Sequence, residues 1–590
     1  MPPIDAVIIV VYLIGIVAVG VYFYRLSATG TRAYFLGGNK LPWWALAASG
    51  SASNYDVTGT MFLVSLFYVV GLRSFWMLWS WQFMGAAFLM SYMAIWIRRT
   101  QVMTAVELLH IRFGAGSGGR MARTAGAVLM VTFLIFSIGY AFVGISKFLP
   151  HVVPEGVPGD GRTWAIVLMA LTTLYVTVGG FAGVVVTDLI QAVLMAAGGI
   201  LVGVIVFLKL DPEAVATLHA RFDLDLIPRA TLSMPSGYES WNNFGILCLF
   251  WFAAGMLLNM SGAGGHYQEQ RFLATRSAAD SARAGCAWGF FLLPRWAMIA
   301  GFCYLAVTGM AGSEDPEQIL PVVLMEMIPP GLRGLLLAAF LAAFMSTFSS
   351  YINAAAAMVV RDLLHPFRPQ MSERSQVLAG YVVSVLAVSL GIVIGYHADS
   401  IKSIWVWMMI GLIGGSLIPN VLRWHWHRLN GWGYSAGIFL GLLTAVGVRS
   451  GLFGDEPAEY TYAPVVWGMT LLGCVVGSLL TAPVPTETLE HFYRTVRPYG
   501  LWGPIRRRTQ ATPPNAGTDT PPIRIVGNVV LATVCLTSSF VAVFLVVGHY
   551  LQGSLIAVGT ALATGVILYF TWYCPLLAGE RTADPESFTS

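Results

Sequence analysis

Charge is what this chain has least of: Asp, Glu, Lys and Arg make up 11% of its 590 residues, where a soluble globular chain carries about 25%. A fold that keeps its whole surface in water is thereby excluded. Cysteine is nearly as informative. The six thiols (Cys248, Cys286, Cys303, Cys474, Cys535 and Cys574) all lie in apolar runs, and their spacing matches neither a zinc site nor a disulfide framework. Catalytic motifs are missing too: the sequence has no nucleophile elbow, no His-Glu-x-x-His helix and no phosphate-binding loop. Its histidines fall mostly at segment ends and in loops, as His425 and His427 do beside Arg428. The sequence therefore predicts no enzyme. The stretch after residue 576 is too short for a soluble output domain, which counts against a transporter-like sensor. The net charge of +4 is ordinary for the loops of a membrane protein and implies no nucleic-acid partner.

What the chain does have is apolar length. Its residues are 57% hydrophobic, the mean hydropathy is +0.71, and fifteen segments are long enough to cross a bilayer. These predict an all-α integral membrane protein with the lipid bilayer as its surroundings. The first span, within 1–30, reads as a retained helix. Asp5 stands where the positive n-region of a signal peptide belongs, and no small-residue cleavage site follows. Assigning alternate loops to opposite sides places 23 Lys and Arg on one side and 9 on the other, with Arg295 inside a segment. The richer side is expected to be cytoplasmic, with the N-terminus outside and the C-terminus inside. Residues 482–524 are Pro-rich and carry the run Arg506-Arg507-Arg508. They read as a cytoplasmic basic linker, partly disordered, whose arginines serve as a topology signal or touch lipid headgroups.

Polar residues enter the spans at three places. In segment 334–360, Ser346, Ser349 and Ser350 stand at i, i+3 and i+4 and share one helix face, with Thr347 one step around. Hydroxyl and carbonyl oxygens are hard ligands that suit a small alkali cation; hydroxyls in membrane helices also bond to their own helix or to a neighbour. Segments 43–71 and 243–262 carry the runs Ser49–Gly59 and Asn259–Gly265, dense in Gly, Ser and Asn, which disfavour helix. Non-helical backbone at membrane depth is tolerated only against protein or a watery cavity. The two interrupted segments stand five spans apart, so each opens a five-helix unit, 43–208 and 243–424. Matching broken segments in two halves point to an inverted-repeat transporter core with its site at midplane. One helix precedes this core and about four follow, two in 434–481 and two in 525–576. Gly179-Gly180 is expected to separate the fourth and fifth core spans.

These stretches resemble the sodium/solute symporter family, the group holding bacterial proline, sialic-acid and sodium/galactose transporters. Residues Ser51-Ala52-Ser53-Asn54-Tyr55-Asp56-Val57-Thr58-Gly59 resemble its first broken helix. Gly179-Gly180, Thr187-Asp188 and Gln191 are similar to its Gly-Gly…Thr-Asp…Gln signature. Gln270-Arg271-Phe272-Leu273-Ala274 follows the second broken helix, as in the family. Gly331-Leu332-Arg333-Gly334 leading into Met345–Ser350 is the most specific piece. The resemblance covers about residues 6–425. It implies a sodium ion between the first broken helix and the eighth core helix, held by the carbonyls of Asn54, Val57 and Ala343 and the hydroxyls of Ser346 and Thr347. Some members hold a second sodium, for which Asp188, Ser346, Ser349 and Ser350 stand in the matching places. One or two co-transported Na+, a small-molecule solute, function as a monomer and a cell-membrane location (the inner membrane for a bacterial member) are what the resemblance implies.

Asp56, Asp188 and Arg295 are the clearest ionisable residues away from segment ends, and such residues default to function. Asp56 reads either as a helix cap or as a ligand of cation or solute. Asp188 reads either as a sodium ligand or as a snorkelling carboxylate. Arg295 follows the helix-weakening Pro294 and either holds a solute carboxylate or sugar hydroxyls, or pairs with an acid. Aromatic solute contacts are sought at Trp79 with Gln82, alongside Trp76 and Trp81, at Tyr267, near where family members place an inner gate, and at Trp405 and Trp407. The alternative for Trp76 and Trp405 is an interfacial anchor, the commoner place for tryptophan in a membrane protein. Trp407 stands where sugar transporters of the family carry Gln, so galactose recognition does not transfer. The expectation is a sodium-coupled symporter of a monosaccharide or sugar acid working by alternating access. Proton coupling through Asp56 and Asp188, and an amino-acid or carboxylate solute, are the alternatives.

Overall fold

The computed structural model describes residues 2–24, 41–79, 82–102, 106–153, 157–262, 269–309, 315–398, 400–448, 458–509 and 521–583. Apart from one bridge between Trp426 and Leu501, everything regular among them is helical. This is what lipid demands, since only a helix or a closed barrel satisfies its own backbone there. Ten described helices are long and apolar enough to cross a membrane, and four shorter apolar helices accompany them. The predicted span 75–97 is present in pieces: a tight turn at Gly71–Met77, a helix Gln82–Phe88, a wide π turn Leu89–Met93 and a helix Ala94–Arg99.

Burial sorts the helices into a centre and a rim. The hydroxyl-bearing span Leu332–Leu364 is 94% buried over its apolar window, and Leu551–Glu580 only 11%. The rim carries bare apolar side chains such as Leu174, Val193, Leu480 and Leu555. In water these would be a liability; against acyl chains they are the natural surface.

The first helix, Pro3–Tyr24, packs along the central helix Leu332–Met358. Asp5 explains how. It is fully buried and accepts from the Gly331 and Gly334 amides at 2.7 and 3.0 Å and from Arg333 Nε at 2.9 Å. The orphan N–H groups at a helix start attract a carboxylate, so the first helix caps the central one.

The backbone is helical from Gly161 to Lys209, where the sequence predicts a break at Gly179-Gly180. The neighbours still mark two crossings. Gly161 packs on Ser146 and Pro150, next to the Lys147–Glu317 ion pair, while Asp188 meets Ser346 far along the bundle. Further on, Gly198 meets Leu336 and Gly203 meets Ala297, leading back toward the first end. Glycine pairs are among the places where helices kink.

Residues 482–524 depart from the linker expectation. Thr486–Val496 and Gly503–Thr509 are helical, and Phe492 and Trp502 are each 1% exposed. Trp502 Nε1 donates to the Trp424 carbonyl at 2.7 Å, and Arg112 lies over both the Phe492 and Trp502 rings. Buried aromatics, which composition averages conceal, fasten this segment to the core; residues 510–520 lie outside the described part.

Candidate functional site

The gap in the first broken helix follows from its side chains. After Trp43–Ala52, Ser53 Oγ and Asn54 Nδ2 both donate to the Gly50 carbonyl, at 3.0 and 2.9 Å. Such local bonds compete with helix continuation. Asp56 is extended (φ −58°, ψ 147°) and the helix restarts at Val57, with the Asp56 carboxylate accepting from the Gly59 amide at 2.7 Å. Asp56 therefore is a cap. It is also an ion-pair partner, since Arg295 Nη2 approaches Oδ1 at 3.4 Å.

Arg295 is fully buried and bridges the gap. Its Nη1 donates to the Asn54 carbonyl, its Nε donates to Thr60 Oγ1 at 3.2 Å, and it lies 5.6 Å from the Tyr55 ring centre. A helix C-terminus carries partial negative charge, so the end of Trp43–Ala52 attracts cations, and Arg295 is one already in place. The helix Thr187–Lys209 comes close here only because residue 199 is glycine. A Cβ there would stand 2.3 Å from the Pro294 carbonyl oxygen and 3.0 Å from the Tyr55 hydroxyl.

The central helix packs against both halves of the broken one, and its hydroxyls face inward. Ser346, Thr347, Ser349 and Ser350 are all buried. Thr347 Oγ1 donates to the Ser53 carbonyl at 3.0 Å, joining the hydroxyl cluster to the gap. Ser346 Oγ donates to Asp188 Oδ1 at 2.5 Å. Ser349 bonds back to the Ser346 carbonyl at 2.8 Å, the plain use of a hydroxyl in a membrane helix. The other Asp188 oxygen accepts from Ser49 Oγ at 2.6 Å and from Arg271 Nη2 at 3.2 Å, and Arg271 Nε donates to Ser49 at 3.0 Å. Asp188 is 1% exposed, so it is not snorkelling. A cavity of about 10 Å³, the size of one water, adjoins Gly50, Arg271 and Trp288.

The sequence pointed to the two helices that meet here and did not point to three further groups at the junction: Ser49, the Ser53 carbonyl and Arg271. Of the predicted sodium ligands, Thr347 reaches the gap, the Asn54 carbonyl is engaged by Arg295, and Ser346 is engaged by Asp188. Val57 and Ala343 are buried on the two helices that meet there. Arg295 pairs with Asp56 and with the gap's backbone, which is the acid-pairing alternative.

The aromatic candidates fall into separate clusters. Trp79 packs edge-on to Trp76, Phe83 and Phe252. Trp407 stacks on Phe136 with ring centres 4.4 Å apart. Trp405 is buried against Phe62 and Trp251, which corrects its reading as an interfacial anchor: its apolar partners come from other core helices. Trp76 donates to the Leu226 carbonyl at 2.5 Å. Tyr267, Trp81 and the side chain of Gln82 lie outside the described residues. At the far end of the bundle, Lys147 pairs with Glu317 at 2.7 Å, and the Glu317 carboxylate accepts from the Ile401 and Lys402 amides at 3.1 and 2.9 Å.

A broken helix facing a buried hydroxyl-rich helix is the geometry on which comparison with known proteins bears. The model of the sodium:solute symporter family matches residues 34–441, well over half the chain. The chain belongs to the sodium:solute symporter family. Among the relatives of this family member, sodium/glucose cotransporter 4 of Danio rerio is 24% identical over 547 residues, covering 82% of this chain and 80% of its own. Sodium/myo-inositol cotransporter 2 of Oryctolagus cuniculus is 26% identical over 561 residues, covering 83% and 79%. Among solved structures, a Na+-coupled sialic acid symporter in a substrate-bound, outward-open state matches with a TM-score of 0.63 at 19% identity, covering 82% of this chain and 99% of that one. That likeness establishes the fold of this symporter-family chain: an all-helical inverted-repeat core, with the discontinuous helix at Ser53–Asp56 opening its first half; residues 263–268, on which the second predicted break falls, lie outside the described residues.

Proposed function

We propose that this protein is a sodium-coupled symporter of a small organic solute, a monosaccharide or sugar acid, working by alternating access. The observation that carries the reading is the bond from Thr347 to the Ser53 carbonyl, which brings a buried hydroxyl helix onto the unwound turn. Sodium would bind at this junction, with the Thr347 and Ser346 hydroxyls and the carbonyls of Ser53, Asn54, Val57 and Ala343 as its candidate ligands. The sodium/glucose, sodium/myo-inositol and sialic acid transporters that the chain resembles support both the ion and the solute class.

The local charges suggest how coupling works. Asp56 faces Arg295 and Asp188 faces Arg271, so the carboxylates and guanidiniums of the site balance. A bound sodium adds one positive charge. Its entry along the membrane potential contributes about 2.3 kcal/mol per 100 mV. Binding at the gap would order the turn and improve the solute site, and the effect must be reciprocal. A second sodium at Asp188, Ser346, Ser349 and Ser350 would have to displace Arg271, so we assign one ion to the shape described here. The arginine-rich loops face the cytoplasm in this reading, with the N-terminus outside.

Uptake of labelled sugars and sugar acids into proteoliposomes, with sodium replaced by choline at fixed pH, tests the proposal. Uptake that falls to background in choline is expected. Undiminished uptake without sodium that collapses with a protonophore would replace sodium by protons.

A further inference from the structure

A cavity of about 350 Å³ lies away from the gap, at the end of the bundle where the arginines collect. Three elements enclose it: the pieces of the span that ends at Arg99, the fastened segment 486–509, and the first turn of helix Pro522–Val547. Its size falls within the usual range for small-ligand sites, about 300–1,000 Å³. Arg99, Arg497 and Arg506 line it, and among the described residues no acidic one does. The walls between them are aromatic, including Tyr92, Trp96 and Trp502.

Two features mark this as more than a gap between helices. Ser91 and Tyr92 line the cavity and are 6% and 3% exposed; among the described residues the Ser91 hydroxyl has no hydrogen-bond partner, and the Tyr92 hydroxyl faces that of Tyr499, which lines the same space. A buried hydroxyl without a partner is costly, and that of Ser91 lines this space beside the Tyr92–Tyr499 pair. Both sit in the π turn Leu89–Met93, a helix irregularity that recurs at functional sites. The surrounding arginines supply the charge that an anion with several acceptor oxygens would need.

We propose that this cavity binds a phosphate group, with Arg497 and Arg506 meeting its charge and the Ser91 and Tyr92 hydroxyls donating to its oxygens. The phosphate belongs to an anionic phospholipid or to a soluble phosphate ester. Arg99 closes one span and Pro522 opens another, so the site is level with lipid headgroups, where basic pockets between spans take such ligands. Occupancy would tie the first repeat to the tenth core helix, Ile401–His425, because the same segment holds Trp424 through Trp502 and the His425 carbonyl through the Leu501 amide at 2.7 Å.

The test uses the full chain, purified and delipidated, and needs neither sodium nor solute, so it stands apart from the transport proposal. Thermal stability is measured in nanodiscs of pure phosphatidylcholine, in nanodiscs containing phosphatidylglycerol, and in phosphatidylcholine with added inorganic phosphate or pyrophosphate. The expected result is an upward shift that R497Q/R506Q loses by at least half. The exposed pair R507Q/R508Q, which removes equal charge outside the cavity, keeps it. A shift with phosphatidylglycerol alone assigns the phosphate to lipid, and a shift with the soluble anions assigns it to a soluble ester. Ser91→Met, which fills the cavity without touching charge, should lose the shift as well. No shift with any anion, or equal losses in the two arginine pairs, overturns the proposal.

Discussion

Replacing Arg271 by Gln asks whether Asp188 is a cation site held by a resident guanidinium. The wild-type carboxylate has three partners: Ser49, Ser346 and Arg271. Removing one partner of a buried ion pair costs about 3–5 kcal/mol. Gln keeps a donor that reaches toward Ser49, returning about 1 kcal/mol, so the net loss is about 2–4 kcal/mol. Once the guanidinium is gone, Asp188 and the hydroxyls of Ser346 and Ser350 are open to sodium. Sodium at a hundred times its dissociation constant stabilises by about 2.7 kcal/mol, close to the whole deficit. The assay is thermal unfolding of the purified protein in a sodium series, with choline balancing ionic strength. R271Q should melt well below wild type in choline, approach it in high sodium, and show a steeper sodium dependence. An equal deficit in both salts would refute the idea that Asp188 can hold the ion. No deficit in either would show that the Arg271 pair does not stabilise this shape.

Other outcomes follow from the same geometry. Thr347→Val, which keeps shape and removes the hydroxyl on the Ser53 carbonyl, should raise the half-saturating sodium concentration on the order of tenfold, about 1.4 kcal/mol, in uptake assays; Ser346→Ala should raise it too. An unchanged value in both would remove the sodium assignment. Asp56→Ala should destabilise more than Asp56→Asn in thermal melts, because Ala loses both the cap, about 1 kcal/mol, and the partner of Arg295, whereas Asn still caps. Gly199→Ala should cost about 1–3 kcal/mol, since its methyl would press on the Pro294 carbonyl. A melt equal to wild type would show that the two helices separate readily.

The hydroxyl face and the gap were legible because both are local. Spacing of i, i+3 and i+4 places Ser346, Ser349 and Ser350 together whatever the rest of the fold does, and Ser53, Asn54 and Asp56 interrupt their own helix with bonds to residues three or four positions away. The pairing of Asp188 with Arg271 spans 83 residues, and no periodicity reports a contact of that kind. Glu317 likewise caps a helix that starts 84 residues later. Both arginines of the site were in view in the sequence, one within a motif and one as an intramembrane charge, but their partners were not. Composition misled at 482–524: prolines and arginines dominate the average, while Phe492 and Trp502 decide the packing.

The Glu317 carboxylate has a mechanical consequence. It ties Lys147, in the first repeat, to the starting turn of the tenth core helix, in the second. Any rocking of one half against the other at that end must part Lys147 from Glu317 or strip the carboxylate from two amides. Charge-assisted bonds of this kind are each worth about 1.5–3 kcal/mol. The joint therefore has the form of a latch, and any opening at that end has to overcome these bonds, well away from the unwound turn.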